Sequence, residues 1–376
     1  MRARLLDLGR VGALRSQSMY HAITDCMEPD SDVVISLMRP SQPYVSIGYF
    51  QEAAREVELE FCEMQGLPVI RRHVGGGAVL LDGDQLFFHL MLPQARAREF
   101  GLPAGLAERF AYLARPPIVA YQRLGVEAEF RPINDIHVRG RKIGGTGVGE
   151  IGAGLVFAGS MMFDFNTALM AQVLKVPDEK LRDKIADSLD GYMTTLAKEL
   201  GAKPPLAEVA ETLCGAFEES YGLELVPSMP TPDELDAMYR WDEALGDPEW
   251  LHAVQLPGAA GAGHDDGAAH RDVKISASVR VLHAQHKAPG GMLRVSARVV
   301  EGRVDDLLIS GDFPVTPKSA LVDLAERLRG APLALEALGE RVEQAYRTGA
   351  IETAGVRPED FGTVFQQLLP VPATRT

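Results

Sequence analysis

Cysteine is scarce here: Cys26, Cys62 and Cys214 are the only three in 376 residues, widely spaced and without a CxxC pair. That spacing excludes a cysteine-rich zinc site and points to a reducing compartment. Positive charge is also short. The 52 acidic residues outnumber 38 Lys and Arg, for a formal net charge of −14, which disfavours a general nucleic-acid binder. No apolar run is long enough to span a bilayer, and the opening MRARLLDLGRVGALRSQSMY lacks the continuous apolar core of a signal peptide. The expectation is a cytoplasmic protein with neither nucleic acid nor membrane as partner. The Walker pattern GxxxxGK(S/T) is absent, and so are internal repeats.

What is present describes a globular chain with more than one core, 46% hydrophobic and 24% charged. DVVISLMRP and PYVSIGYF read as strands around a Pro-bounded turn. QEAAREVELEFCEMQG then places Val57, Phe61 and Met64 on one helical face, its EVELE run a solvated helix side. PVIRR, AVLL and LFFHLML read as further strands, EAEF and DIHV as a strand and a hairpin turning at RGR, and LVFAGSMMFDF as a buried strand. Strands mixed with helices in this way describe an α/β domain with a mixed sheet. From Asn166 to about Tyr239 the texture is helical, with a capping-box pattern at TPDE, 231 to 234. PGAAGAGHDDGAAH, 257 to 270, reads as a linker. Beyond it, alternation with turns at APGG and EGR predicts an antiparallel sheet, and Leu321, Leu324, Ala325 and Leu328 a helix from about Pro317 to Arg329.

The cations of this acidic chain gather beside glycines, Arg71 and Arg72 before Gly75-Gly76-Gly77, and Arg131, Arg139, Arg141 and Lys142 around RGRKIGGTG. Glycine backbone can approach phosphate oxygens closely because no Cβ intervenes. Arg and Lys then neutralise the charge. Two such segments could close around one anionic ligand; the plainer alternative makes the glycines turns and the cations surface residues. A literal GxGxxG at Gly147–Gly152 is followed by a strand where a dinucleotide fingerprint needs a helix, so the match is accidental.

RRHVGGGAVLLDGDQLFF resembles the first signature of lipoate–protein ligases, and NDIHVRGRKIGGTG the second. FAGSMMFDFNTALMAQVLKVPDEKLRDK is similar to the third block, in the same order and spacing over roughly 30 to 200. GGMLRVSARVVEGRVDDLLISGDF, with its later helices, resembles the accessory domain some of these ligases carry. The resemblance implies an α/β (α+β) architecture: a mixed-sheet biotin/lipoyl ligase-like catalytic domain over 1–250, a linker over 251–272, and a small α+β accessory domain over 273–376. It implies that lipoate or octanoate is activated by ATP with Mg²⁺ as acyl-AMP. The acyl group then passes to a lysine of a lipoyl carrier protein, either like the glycine-cleavage H-protein or a lipoyl domain of a 2-oxoacid dehydrogenase. Lys142 would bridge carboxylate and α-phosphate. Arg71, Gly75, Gly76, Gly77, Ala78, Val79, Asn134, Asp135, Gly145 and Thr146 would bind the acyl-adenylate, with Asp135 the metal contact and Val79 with Phe87 or Phe88 lining an acyl tunnel.

This chain departs from the pattern at Leu81-Asp82, where the family has His-Asp, at His73-Val74, and at Phe157-Ala158-Gly159. Other readings stay open. An octanoyl transferase on the same fold would act without ATP, in one branch through a cysteine near the loop before the lysine. RPINDIH there has no cysteine, and all three thiols read as structural. A biotin–protein ligase would need an Arg-rich glycine signature this chain lacks, and a silent binding protein would have lost the lysine. His283 and His286 read as solvated loop histidines rather than metal ligands, and Trp241 and Trp250 as packing between domains.

Overall fold

The computed structural model describes residues 1–176, 182–254, 270–274 and 279–369. Most of the expected linker, residues 257 to 269, lies outside that set, as does Pro177. Two compact units emerge. One holds Met1–Tyr49, Glu56–Val74 and Ala78–Leu251; the other holds Phe50–Arg55, Gly75–Gly77 and His252–Thr376.

The chain of the first unit opens with β1 (Arg2–Val11), α1 (Ala13–Asp25), β2 (Val33–Pro40) and β3 (Tyr44–Ile47). Next in sequence come α2 (Ala53–Glu56), whose first three residues group with the second unit, and α3 (Leu59–Met64), then β4 (Val69–Arg71), β5 (Val79–Leu81) and β6 (Gln85–Pro93). Helices α4 (Leu106–Leu113) and α5 (Arg115–Arg123) lead to β7 (Ala128–Arg131), β8 (Asp135–Val138), β9 (Arg141–Ile151) and β10 (Gly154–Met162). Helices α6 (Thr167–Val173), α7 (Arg182–Tyr192), α8 (Leu196–Leu200) and α9 (Leu206–Tyr221), strand β11 (Glu224–Pro227), and helices α10 (Pro232–Gly246) and α11 (Pro248–Leu251) complete it.

Eight strands form one sheet in the order β11-β1-β2-β6-β10-β9-β8-β7. β1 runs parallel to both β11 and β2, and the remaining neighbours are antiparallel. The mixed sheet expected from the sequence is therefore present. β6 shows why the fold closes as it does, since all its residues are buried. Leu86, Phe88, Leu90 and Leu92 join a core with Tyr121 of α5 and Leu213 and Phe217 of α9. Phe87 and Met91 join a second core with Tyr20 and Ile23 of α1 and Met238 of α10. A strand covered by helices on both faces needs apolar residues at every position, and its period of two sorts them between the layers. Three further strands form a small sheet, β4-β3-β5.

The long helix expected over 51–66 is broken. Val57, at 1% exposure, makes a bridge to Leu174 that ends α2, and α3 restarts at Leu59. Met64, expected on the buried face, is 76% exposed. The EVELE run is not merely solvated either: Glu58 accepts a 2.7 Å bond from Lys175 Nζ and lies 3.5 Å from Arg182. The glycine-rich stretch after the RGR turn, which the sequence left unassigned, is an eleven-residue strand, β9, which contains most of the accidental GxGxxG. The capping box at Thr231 is present, with Thr231 Oγ1 accepting from the Glu234 amide at 3.2 Å and Glu234 Oε2 from the Thr231 amide at 2.7 Å.

In the second unit, β12 (His270–Lys274), β13 (Val279–Ala288), β14 (Gly291–Val300) and β15 (Arg303–Gly311) form an antiparallel sheet. A two-stranded pair follows, β16 (Val315–Thr316) and β17 (Glu352–Thr353), with helices α12 (Ala320–Leu328), α13 (Leu335–Arg347) and α14 (Pro358–Leu368). Leu282, Leu293, Val295 and Ala297 are buried, as are Leu321, Leu324 and Leu328 of α12 and Phe361 and Phe365 of α14. The two histidines read as solvated loop residues are instead strand residues with partners: His286 Nε2 meets Asp360 Oδ1 at 3.0 Å, and His283 Nδ1 meets Ser296 Oγ at 2.8 Å. No helix among the described residues is long and apolar enough to cross a membrane.

Candidate active site

The hairpin of β8 and β9 assembles the clearest chemistry. Its turn takes left-handed backbone at Arg139 (φ 48°) and Gly140 (φ 80°), which suits the right-handed twist of a tight hairpin. The register sets Asp135 opposite Gly145 and His137 opposite Lys142, with a bulge between. Lys142 lies diagonally across the hairpin, its Nζ 2.7 Å from Asp135 Oδ1. Gly145 leaves room for that diagonal, because a Cβ there would stand 3.2 Å from Nζ and 3.3 Å from Cε of the lysine, a tight contact. Asn134 and Thr146 brace the same hairpin: Asn134 Nδ2 donates to the Thr146 carbonyl at 2.8 Å, and Thr146 Oγ1 to the Asn134 carbonyl at 2.9 Å. The Lys142 carbonyl accepts from the Thr194 amide at 2.8 Å, tying the lysine's backbone to the end of α7. Asn134, Asp135, Lys142, Gly145 and Thr146 therefore converge.

Three neighbours, His137, Tyr192 and Glu199, were missed in the sequence. His137 is buried beside Asp135, with Nε2 3.7 Å from Asp135 Oδ2 and 3.4 Å from the Tyr192 hydroxyl. Its Nδ1 is buried without a hydrogen-bond partner among the described residues. Burial, then the Asp135 carboxylate, raises the Tyr192 phenol above its ordinary pKa. The i, i+2 spacing of Asp135 and His137 on a strand is the signal that would have found the histidine. Glu199 had no local signal. It accepts from both Arg139 and Arg141, the latter at 2.6 Å, so these two cations are already paired.

The other expected residues stand elsewhere. Val79 pairs with Ser46 and packs into the core that holds Phe87, whereas Phe88 lies in the opposite core. Ala78 is half-buried just before it. Gly75–Gly77 group with the C-terminal unit. Gly76 has φ 99°, a conformation L side chains rarely adopt. A Cβ at Gly75 would meet the Phe313 carbonyl at 3.8 Å, and one at Gly77 would meet Asp312 Oδ2 at 3.7 Å, both ordinary contacts. The chain's own packing therefore demands glycine only at the middle position.

Arg71 is wholly buried, and its guanidinium donates to carbonyl oxygens of Gly48, Tyr49, Trp250 and Leu251 at 2.7 to 3.2 Å. The fork expected beside phosphate thus faces backbone. Arg72 is 9% exposed and donates to the Ser46 carbonyl at 3.0 Å. Burial lowers its pKa to about 10, partly offset by Tyr20 and Tyr44, so it remains a cation at neutral pH. Trp241 stacks on His21 at 4.3 Å and Trp250 on His73 at 4.5 Å, all within the first unit.

The thiols are unactivated. Burial raises Cys62 and Cys214 to about 11, helped by nearby carboxylates, and it raises Cys26 as well. A cleft of about 770 Å³ between the start of α1, β4 and the end of α10 is lined by Val11, Leu14, Ile70, Leu245 and Leu251, with none of the expected site residues among its walls.

Residues 14–218 match the lipoyl protein ligase A/B catalytic domain, and the chain belongs to that family. It is an enzyme of the lipoate ligase and transferase group. It is 26% identical to octanoyltransferase LipM of Moorella thermoacetica, over 66% of this chain and 97% of that one. It is also 26% identical to lipoate-protein ligase LplJ of Bacillus subtilis, over 73% of this chain and 74% of that one. A solved bipartite lipoate protein ligase of Thermoplasma acidophilum, described with its E2 lipoyl domain, superposes with a TM-score of 0.62 at 25% identity, covering 68% of this chain and 98% of its own.

Proposed function

We propose that this enzyme condenses lipoate or octanoate with ATP to an acyl-adenylate, releasing pyrophosphate, and then transfers the acyl group to a lysine of a lipoyl carrier protein, releasing AMP. The glycine-cleavage H-protein type and the lipoyl domains of 2-oxoacid dehydrogenases are the proposed acceptors. The observation that carries this reading is the Lys142 ammonium, held by one carboxylate at 2.7 Å on a hairpin braced by the Asn134–Thr146 hydrogen bonds. A carboxylate must attack an α-phosphorus surrounded by negative oxygens, and a fixed cation between the two anions lowers that barrier. Lys142 would exchange part of its contact with Asp135 for the reacting anions and later steady the departing AMP. It forms no covalent bond.

Asp135 fits a nucleotide-borne Mg²⁺, which typically takes one or two protein carboxylates plus phosphate oxygens. When bound, Mg²⁺ would neutralise charge on the triphosphate. Gly75 and Gly77, which the chain's own packing does not require, are the positions where a ligand's approach would favour glycine.

The likeness to the Moorella octanoyltransferase favours a second reading, acyl transfer between carriers without ATP. The raised thiols oppose a cysteine nucleophile in such a transfer, because thiolate is the reactive form. ATP–pyrophosphate exchange discriminates the two. Lipoate-dependent exchange is expected, falling by about 100-fold or more in Lys142→Met. If the enzyme shows no exchange but moves octanoyl groups between carriers, the transferase reading replaces this one.

A further inference from the structure

We propose that Arg71 and Trp250 are positioning residues that lock the root of the glycine loop, residues 72–74, against β9, the strand that carries Lys142. The proposal rests on the acyl-activation reading for its kinetic consequence and on geometry for its structure.

The lock is reciprocal. Arg71 Nε donates to the Trp250 carbonyl at 3.0 Å, and the Trp250 indole Nε1 donates back to the Arg71 carbonyl at 3.0 Å. From the same guanidinium, Nη2 reaches the Leu251 carbonyl at 2.7 Å and Nη1 the Tyr49 carbonyl at 2.8 Å. One planar fork therefore joins the end of β3, β4 and α11. Each of these lies next to a point where the chain passes between units: after Tyr49, after Val74 and after Leu251. The Trp250 ring then lies against His73 at 4.5 Å and 24°, and His73 meets His21 edge-on at 4.0 Å. The backbone closes the remaining side: the Arg72 amide donates to the Ile47 carbonyl at 2.9 Å and the Tyr49 amide to the Val74 carbonyl at 3.2 Å. Val74 rests on β9, where a Cβ at Gly149 would stand 3.1 Å from its Cγ1. β9 is the strand that carries Lys142.

A single packing partner could anchor an apolar strand end at far less desolvation cost than a buried guanidinium. What a guanidinium adds is a rigid set of donors able to bind carbonyls on two sides at once. Lysine keeps the charge and cannot reproduce the fork. A strand that carries the reacting lysine needs such a seat beside it, since a displacement near 1 Å can cost about 100-fold in rate.

Two variants test this in the full-length chain: Trp250→Phe, which keeps a ring against His73 and removes the indole donor, and Arg71→Lys. Two measurements are made on each, hydrogen exchange of peptides spanning 72–78 and 141–151, and kcat and KM for acid-dependent ATP–pyrophosphate exchange per active molecule. Exchange at 72–78 is expected to quicken about tenfold, the equivalent of one lost hydrogen bond, while 141–151 stays unchanged. The kcat is expected to fall roughly 10- to 100-fold with KM for ATP preserved. General destabilisation would quicken both peptides together and overturns the proposal. So does unchanged exchange at 72–78, or unchanged kcat in a variant whose loop root has loosened. Should the wild-type enzyme activate no acid, the function reading fails, and the exchange result still decides the lock.

Discussion

Lys142 and Asp135 illustrate how little a single residue means without its neighbour. The Lys142 side chain is 28% exposed and that of Asp135 20%, so the pair is not sealed from a charged ligand as a fully buried ion pair would be. His89 shows the opposite extreme. It is 3% exposed beneath α1, with Nδ1 3.1 Å from Ser36 Oγ, and burial lowers its pKa from 6.5 to about 3. The unfolded chain takes up a proton at this residue near pH 6.5, whereas the folded chain resists until near pH 3. Its contribution to stability is therefore fully present above pH 6.5 and is lost progressively as pH falls towards 3. Between pH 7.5 and pH 5.0, urea unfolding of the wild type should lose about 2 kcal/mol more than His89→Asn, which cannot titrate. An equal loss in both proteins would show that the acid sensitivity originates elsewhere.

At the scale of elements, the β8–β9 hairpin was legible in outline, and the extent of its second strand was not. The strand at DIHV and the turn at RGR follow from alternation and a glycine. That the glycine-rich segment continues as strand rather than loop follows from its pairing with β8 on one side and β10 on the other, which no local rule reveals. Within that strand Gly145 has a specific task. Gly145→Ala should improve the strand while pressing on Lys142, whose Nζ lies 3.2 Å from the new methyl position. Acid-dependent ATP–pyrophosphate exchange is expected to fall about tenfold with the unfolding midpoint preserved or raised. Unchanged exchange would mean that the lysine has room the glycine does not provide. The break between α2 and α3 teaches a similar lesson. Val57, Phe61 and Met64 share a helical period, yet the bridge from Val57 to Leu174 overrides it, because a distant strand-like partner outweighs a weak local preference.

At the scale of the whole molecule, the division into units does not follow the order of the chain. Residues 50–55 and 75–77 belong with the C-terminal unit, where the Gly311 amide donates to the Phe50 carbonyl at 3.0 Å and Ser310 Oγ to Glu52 Oε1 at 2.7 Å. A chain ended after Leu251 should keep the Lys142 hairpin but lose these partners. Faster hydrogen exchange at 50–55 and 75–77 is expected, with acyl activation reduced about tenfold. Adenylate formation at the full rate would leave the C-terminal unit without a part in that step.

The amino-acid order alone determined the mixed α/β sheet, the capping box at Thr231 and the family signatures, because each rests on residues close in sequence that need only local periodicity or spacing. Tertiary structure alone decided that the Arg71 fork faces backbone carbonyls and that Glu199 pairs Arg139 and Arg141. Those outcomes depend on which distant groups share a small desolvated space, where a buried donor or charge must find its partner across tens or hundreds of residues.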